Sequence, residues 1–226
     1  MPKAPKYPLL LLDLDGTLVD SFADIAASIA AAMRAIGLGE GLELMPLVRR
    51  GAPLEELYTH ITGRDAAHAD EAARLGAFGS AYREHYLPRC LDTTRAFPEV
   101  AATLAAIRAL PSPPVIGIAT AKRTETARRV LAGCGLADLV DVVAGSEGIK
   151  SKPDPAVLFR AAQLAERDVR TALMVGDTER DVLAARAAGC AAAAITHDGV
   201  GEAELRASAP DYLLPTFASL VALVAG

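Results

Sequence analysis

Short apolar runs alternate with segments of helical apolar spacing along most of the chain. Apolar runs of this length are typical of strands that a parallel sheet buries on both faces. The runs are Leu9–Leu12, Val115–Ala119, Val140–Ala144, Ala172–Val175, Ala191–Thr196 and Tyr212–Leu214. The helical segments are Glu99–Leu110, with Pro98 expected in the first turn, Arg123–Ala132, Pro155–Ala165, Arg180–Ala188 and Phe217–Val224. We therefore predict an α/β fold with a doubly wound parallel sheet.

One long stretch between the first and second strands contains no strand-like run. Asp20 and Ser21 are expected to cap a helix that ends at Gly37 and Gly39. Its apolar stripe is Ile25, Ile29, Met33 and Ile36, and further helical segments follow at Leu54–Ile61 and Ala66–Leu87. We predict an α/β core formed by residues 1–20 and 94–226 and an inserted helical domain formed by residues 21–93. The chain is expected to return to the core near Thr93 to Phe97.

Composition narrows the class of protein. The 226 residues are enough for a real core, and alanine carries much of the 52% hydrophobic fraction, which favours helices packed through small side chains. A formal net charge of -5 without clustered Lys or Arg argues against a nucleic-acid partner. The three separated cysteines show neither a metal spacing nor a disulfide framework. The N-terminal apolar run is too short for a signal segment or a membrane span, so we expect a cytoplasmic protein without a membrane partner.

Two acids stand directly after the first predicted strand. Asp13 and Asp15 follow four leucines, and residues two apart in an extended chain face the same way. Carboxylates this close repel each other unless a cation or a shared proton relieves the charge, which implies a divalent metal. Gly16 permits a turn closed to other residues and leaves amide N–H groups that can approach an anion. The alternative is a polar turn that caps a helix.

Three further strand ends carry polar residues at the same edge of the sheet. The hydroxyl and amide of Thr120 could hold an anion at a helix start, although an ordinary helix cap would use the same residue. Lys152, between stiffening prolines, could direct an ammonium group into the cleft, with Lys150 as a second candidate and a solvated surface lysine as the alternative. Asp177 and Asp181 supply oxygen ligands suited to magnesium.

These motifs resemble those of the haloacid dehalogenase superfamily over nearly the full length of the chain. Segment 13–18 resembles its first motif, Thr120 its second, Lys152 its third and segment 176–181 its fourth. The helical insert is similar to the cap of the phosphoglycolate phosphatase and β-phosphoglucomutase branch. Ala121 departs from the pattern, since many relatives carry Asn there, but it keeps the backbone amide.

The resemblance implies a phosphomonoester hydrolase that works through an aspartyl-phosphate intermediate. Asp13 would be the nucleophile, and Asp15 would protonate the leaving alkoxide and then draw a proton from water. Thr120 and Lys152 would complete the catalytic set. A dehalogenase lacks the second acid, so Asp15 favours phosphoryl transfer over carbon–halogen cleavage.

The resemblance also implies a metal site and a phosphate site. Mg²⁺ would be held by Asp13, the backbone carbonyl of Asp15 and Asp177, with Asp181 in or near the ligand set and orienting Lys152. The residues expected to bind the substrate are Leu14, Gly16 and Ala121 in the core, and Arg49 and Arg50 in the insert.

The substrate is expected to be a small phosphorylated metabolite. Arg49 or Arg50 could meet a carboxylate, as phosphoglycolate would require, or both could be a solvated pair before a helix. Further candidates without a discriminating feature are His60, Arg64, Arg83, His85 and Tyr86. A phosphosugar mutase and a phosphate-binding protein without turnover remain as alternatives. Monomer and homodimer are both open.

Overall fold

We analysed a computed structural model of the protein, which describes residues 5–38, 41–64, 69–197, 199 and 201–226. The chain divides into two compact units. Met1–Asp20 and Arg95–Gly226 form the first, which we call the α/β unit, and Ser21–Thr94 form the second, the helical unit.

The described strands are β1 Leu9–Leu12, β2 Val19–Asp20, β3 Arg95–Ala96, β4 Val115–Ala119, β5 Val142–Ala144, β6 Ala172–Gly176, β7 Ala191–Ile195 and β8 Tyr212–Leu214. The described helices are α1 Phe22–Ala35, α2 Met45–Val48, α3 Leu54–Thr62, α4 Ala69–Arg89, α5 Val100–Arg108, α6 Thr124–Gly133, α7 Ala156–Leu164, α8 Glu179–Ala188, α9 Glu202–Ala207 and α10 Ser219–Ala225. None of these helices is long and apolar enough to cross a membrane.

A six-stranded parallel sheet forms the centre of the α/β unit. Its strand order is β5-β4-β1-β6-β7-β8, and all neighbouring strands run parallel. The α/β fold class predicted from the alternating apolar runs is therefore confirmed. Since the two strands beside β1 come from much later in the sequence, the end of β1 lies at a point where the strand order reverses, and ligands of open α/β sheets bind at such points.

The leucines of β1 explain its central place. All four are fully buried, and Leu9 pairs with Val115 on one side and Ala172 on the other. Leu9 and Leu11 pack into a cluster in which α7 and α8 contribute mainly alanines and valines, so the helices come close to the sheet. A Cβ at Gly117 would lie 3.0 Å from the Leu11 side chain, so this neighbour of β1 must be small.

Several element boundaries differ from the prediction. Helix α5 begins at Val100 after Glu99, which has a φ of 71°, so Pro98 precedes the helix and is not in its first turn. Ser21 stands at the start of α1 but its side chain makes no capping hydrogen bond. The short elements α2, α9, β2 and β3 carry too few residues to show a period, and the sequence did not indicate them. The predicted Gly39 terminus and part of the predicted Ala66–Leu87 helix lie outside the described residues.

The helical unit has its own apolar core. The buried residues of this core are Phe22, Ile29, Ala32, Met33, Val48, Leu57, Tyr58 and Phe78. Ile29 and Met33 confirm the stripe predicted for α1, while Ile25 and Ile36 are only partly buried at its margin. The unit is therefore organised by helix packing alone, without a strand among its described residues.

Among the described residues of the helical unit, one carboxylate is buried. Asp24 in α1 is 5% exposed and accepts hydrogen bonds from the backbone N–H and the hydroxyl of both Thr93 and Thr94, at 2.6 to 3.1 Å. Burial alone would raise the pKa of Asp24, but these donors outweigh it and hold that pKa below its usual value. Asp24 thus fixes the last residues of the unit onto its first helix.

Candidate active site

The carboxyl ends of three adjacent strands bring the first site residues together. Asp13 follows β1, Thr120 follows β4 and Asp177 follows β6, and these strands are neighbours in the sheet. Asp13 N–H donates to Val175 O at 2.9 Å, which continues the ladder one residue beyond β1. This hydrogen bond fixes Asp13 at the carboxyl end of the sheet, directly after the last residue of β1.

Lys152 lies among the acids at the carboxyl ends of these strands. Its Nζ is 2.9 Å from Asp13 Oδ1 and 2.5 Å from Asp181 Oδ1, and it donates to Ala119 O at 3.2 Å. The residue is 6% exposed. Lys150, the other lysine of this loop, is exposed, so the buried cation is Lys152.

The carboxylate of Asp181 accepts three hydrogen bonds. Its Oδ2 accepts from the N–H of Thr178 at 3.1 Å and from the Thr178 hydroxyl at 2.7 Å, while its Oδ1 meets Lys152. A Cβ at Gly176 would lie 2.2 Å from Asp181 Cγ, so only glycine permits this approach. The glycine of the fourth motif therefore makes room for the carboxylate that orients Lys152.

Asp177 receives its hydrogen bond from the loop after β1. Thr17 Oγ1 donates to Asp177 Oδ1 at 2.9 Å, and Thr17 is fully buried. The carbonyl of Thr17 accepts from His197 Nε2 at 2.9 Å, and the His197 ring stacks on Phe97 with centroids 3.7 Å apart. No role was predicted for Thr17, although it lies in the first motif, or for His197, because neither side chain shows its partner in the sequence.

Burial and mutual repulsion shift the titration of these acids. Burial, then the charges of Asp181 and Asp15, raise the pKa of Asp13 to about 7 against the attraction of Lys152. Burial, then Asp181 and Asp13, also raise the pKa of Asp177 well above its usual value. Burial would lower the pKa of Lys152, but Asp13 and Asp181 raise it above the ordinary range. The acids therefore lack sufficient positive charge around them.

The acids can hold a metal ion. Asp13, Asp177 and Asp181 each offer a carboxylate oxygen, and these oxygens lie within 4.8 Å of one another. The Oδ1 of Asp13 is buried and makes no hydrogen bond of acceptable geometry, although it lies in ion-pair distance of Lys152. Hard oxygen ligands with excess negative charge suit a divalent cation such as Mg²⁺, so the residues fit the metal that the resemblance implies. The Asp15 carboxylate does not belong to this cluster.

Asp15 is paired with a residue that the sequence did not single out. Lys122 Nζ lies 2.7 Å from Asp15 Oδ1 and 2.8 Å from its Oδ2. The side chain of Lys122 is 8% exposed. The available signal was its position two residues after Thr120, since residues two apart in an extended segment face the same way.

Two backbone amides expected to bind an anion already have partners. Gly16 adopts the positive φ expected of it, 79°, but its N–H donates to Val19 O at 2.9 Å. The N–H of Thr120 donates to Ala144 O at 3.1 Å, and α6 begins only at Thr124. The N–H groups of Gly16 and Thr120 themselves are therefore not open to a phosphate, and binding of an anion by the amides around them stays a prediction. The hydroxyl of Thr120 accepts from Lys122 N–H at 3.2 Å and keeps its own proton to donate.

Leu14 and Ala121 complete the predicted substrate set in the α/β unit. Leu14 is fully buried, and its carbonyl accepts from Leu18 and Val19 N–H, which closes the turn. Ala121 is exposed, and its carbonyl accepts from Ser146 Oγ at 2.5 Å. Both residues shape the loops beside Asp13 and Thr120.

Arg49 and Arg50 belong to the helical unit. The guanidinium of Arg49 lies 4.8 Å from the Phe22 ring centroid, while Arg50 is exposed. Among the further candidates, Arg64 pairs with Glu71 at 2.7 Å and His85 Nδ1 lies 3.0 Å from Ser28 Oγ. These contacts give Arg49, Arg64 and His85 partners inside the unit.

Comparison with known proteins agrees with the motifs. The family model described as haloacid dehalogenase-like hydrolase matches residues 10–195. A phosphoglycolate phosphatase from Yersinia pseudotuberculosis is 35% identical, covering 92% of this chain and 89% of its own length. One from Neisseria meningitidis is 32% identical, covering 89% and 87%.

A solved structure gives the same result for the fold. A haloacid dehalogenase-like hydrolase from Streptococcus pneumoniae superposes with a TM-score of 0.80 at 24% identity, covering 96% of this chain and 98% of the other. With the buried acids and lysine at the strand ends, these similarities show that the chain is a phosphatase that belongs to the haloacid dehalogenase-like hydrolase family.

Proposed function

We propose that the protein is a Mg²⁺-dependent phosphomonoester hydrolase that acts on a small phosphorylated metabolite through an aspartyl-phosphate intermediate. The observation that carries the proposal is the position of Lys152, which lies between Asp13 and Asp181 while Asp177 stands beside them. A buried ammonium group next to a carboxylate with a raised pKa is typical of a catalytic site.

The chain's own groups can perform both halves of the reaction. An oxygen of Asp13 attacks phosphorus, and the bond to the leaving oxygen breaks as Asp15 transfers a proton to it. Asp15, now ionised, takes a proton from the water that hydrolyses the aspartyl-phosphate. Lys152 and the Thr120 hydroxyl provide positive charge and a donor for the phosphoryl oxygens.

Charge explains why a metal is needed. Asp13, Asp177 and Asp181 face Lys152, and a substrate phosphate would add further negative charge. Bound by the acid cluster, Mg²⁺ would supply the positive charge that lets the phosphate approach Asp13. Chelation should therefore abolish turnover and leave the fold intact.

Phosphoglycolate is the first substrate to test. Relatives from two organisms that cover most of the chain are phosphoglycolate phosphatases. We propose that the helical unit, predicted as the cap, governs substrate choice. Arg50 is exposed and Arg49 lies against Phe22, which makes Arg50 the better candidate for a substrate carboxylate. A cytoplasmic location and the absence of a nucleic-acid partner stay predictions.

The test compares phosphoglycolate with p-nitrophenyl phosphate and with a panel of sugar phosphates. Purified protein with Mg²⁺ should release inorganic phosphate, and EDTA should stop the release. Arg50→Ala should raise the KM for phosphoglycolate by roughly tenfold or more, since a carboxylate–arginine contact is charge-assisted, and leave the aryl phosphate unchanged. Arg49→Ala is the matched control.

Other results would reject the proposal in different parts. Isomerised sugar phosphate without release of phosphate would make the protein a mutase. Mg²⁺-independent release would remove the metal from the mechanism. Equal losses on both substrates in Arg50→Ala would exclude a carboxylate contact.

A further inference from the structure

Lys122 is a partly buried cation of the α/β unit for which the family motifs quoted above give no role. Its Nζ contacts both carboxylate oxygens of Asp15, at 2.7 and 2.8 Å, across 107 positions of sequence. The two side chains are 8% and 19% exposed. Both charges have lost part of their solvation, and the pair includes Asp15, the residue proposed to exchange a proton with the substrate.

The backbone of Lys122 is fixed on both sides. Its N–H donates to Thr120 Oγ1 at 3.2 Å, and its carbonyl accepts from Ser146 N–H at 3.0 Å. The residue therefore projects from a loop that is tied both to the end of β4 and to the segment after β5. This anchoring limits where the ammonium group can lie and gives Asp15 a defined partner.

Other charged groups lie close to Asp15 in the site. Asp13, two residues away, pairs with Lys152 and belongs to the acid cluster that fits a divalent cation. A flexible carboxylate near such charges would turn towards them and away from the leaving oxygen. Contact with both oxygens of Asp15 keeps that carboxyl group on the side of Lys122.

We propose that Lys122 is a positioning residue that holds Asp15 where it meets the leaving oxygen of the substrate. The inference rests on the proposed function, because Asp15 must exchange a proton with that oxygen. Proton transfer requires a heavy-atom separation of about 2.6–3.2 Å, so a rotated Asp15 transfers poorly. The proton passes from Asp15 to the leaving oxygen as the phosphorus–oxygen bond breaks, and Lys122 then faces the resulting carboxylate.

The test uses substrates that differ in their need for this proton. p-Nitrophenyl phosphate releases a phenolate that departs with little help, whereas an alkyl phosphate releases an alkoxide that must be protonated. Lys122→Met should lower kcat/KM, which reports transfer of the phosphoryl group to Asp13, by roughly 10²-fold for the alkyl phosphate and by less than about tenfold for the aryl phosphate. Lys122→Arg should recover much of the loss.

The ratio of the two kcat/KM values is the decisive quantity, because kcat also includes hydrolysis of the aspartyl-phosphate, a step that both substrates share. This ratio does not depend on the fraction of folded protein, so a poorly folding Lys122→Met still gives a result, and Lys122→Arg should move the ratio less in the same direction. Lys150→Met, which removes an exposed lysine from the loop after β5, should leave the rates on both substrates unchanged. Asp15→Asn should show the same leaving-group pattern, and adding Lys122→Met to it should produce little further loss.

Two results would overturn the inference. Equal losses of kcat/KM on both substrates with kcat also reduced would make Lys122 a structural residue only, and equal losses of kcat/KM that come from KM alone would make it a phosphate ligand. Both results are compatible with the proposed hydrolase function, because the wild-type protein is active in each case. A wild type inactive on both substrates would reject the hydrolase, and the role of Lys122 with it.

Discussion

Buried acids in the two units behave in opposite ways. In the helical unit, Asp24 accepts hydrogen bonds from four donors of Thr93 and Thr94, and its pKa is held below the usual value against the effect of burial. In the α/β unit, burial raises the pKa of Asp13 to about 7 and that of Asp177 well above its usual value.

The difference lies in what surrounds each carboxylate. Asp24 is surrounded by neutral donors that stabilise its charged form, so the carboxylate needs no cation beside it. Asp13 and Asp177 have each other and Asp181 as neighbours, so their charged forms are destabilised until cations arrive. A buried carboxylate that accepts enough hydrogen bonds, such as Asp24, therefore stabilises the fold. Buried carboxylates without enough positive charge or donors, such as Asp13 and Asp177, mark the site where ligands bind.

Removal of the nucleophile should give the largest effect and sharpen this contrast. Asp13→Asn should lower kcat on the order of 10⁶-fold, as loss of a nucleophile does in other enzymes. The free energy of unfolding without metal should be unchanged or higher, because a destabilised buried charge is gone. Turnover assays with Mg²⁺ and urea titrations with EDTA check the two parts. Near-normal turnover would show that Asp13 is not the nucleophile.

Removal of Asp24 should have the opposite outcome. Asp24→Ala leaves buried donors of Thr93 and Thr94 without their acceptor and should lower the free energy of unfolding by about 3 kcal/mol. Asp24→Asn, which keeps one acceptor oxygen, should lose less. Glu84→Ala, which removes an exposed acid of α4, is the control and should change little. An unaltered urea midpoint in Asp24→Ala would show that the network contributes nothing to stability.

The sheet and the strand-end acids were predictable because their signals are local. The leucines of β1 and the acids after them stand together in the sequence, and parallel strands deliver their carboxyl ends to one edge. The predicted end of the helix at Ala188 is another local signal, since Gly189 directly after it has a φ of 74°. Elements longer than a turn could therefore be located, usually within one or two residues.

Partners that meet across the fold could not be predicted. Lys122 reaches Asp15 over 107 positions, and no local pattern distinguishes it from a surface lysine. The amides of Gly16 and Thr120 were expected to be open, but whether an amide is already hydrogen-bonded depends on the folded loop. Asp24 was missed for the same reason, since its donors lie 69 and 70 residues away.

The smallest effect concerns pH and metal together. The pKa of Asp13 is about 7 in the folded protein against 3.8 for an ordinary Asp, so between these values the folded state binds a proton that the unfolded chain does not. The stability contribution of Asp13 without metal therefore falls as pH rises through this window. Asp177, whose pKa is also raised, acts in the same direction.

Mg²⁺ should reverse this loss because it competes with the protons on the same carboxylates. Saturating Mg²⁺ should raise Tm by about 5 °C near pH 7.5, above the pKa of Asp13, and by less near pH 5, below it. Asp177→Asn should reduce the response, while Asp24→Asn, whose carboxylate has its own donors, should keep it at a lower starting Tm. A Mg²⁺ response that is equal at both pH values, or equally reduced in both variants, would show that the raised pKa values and the metal site are unrelated.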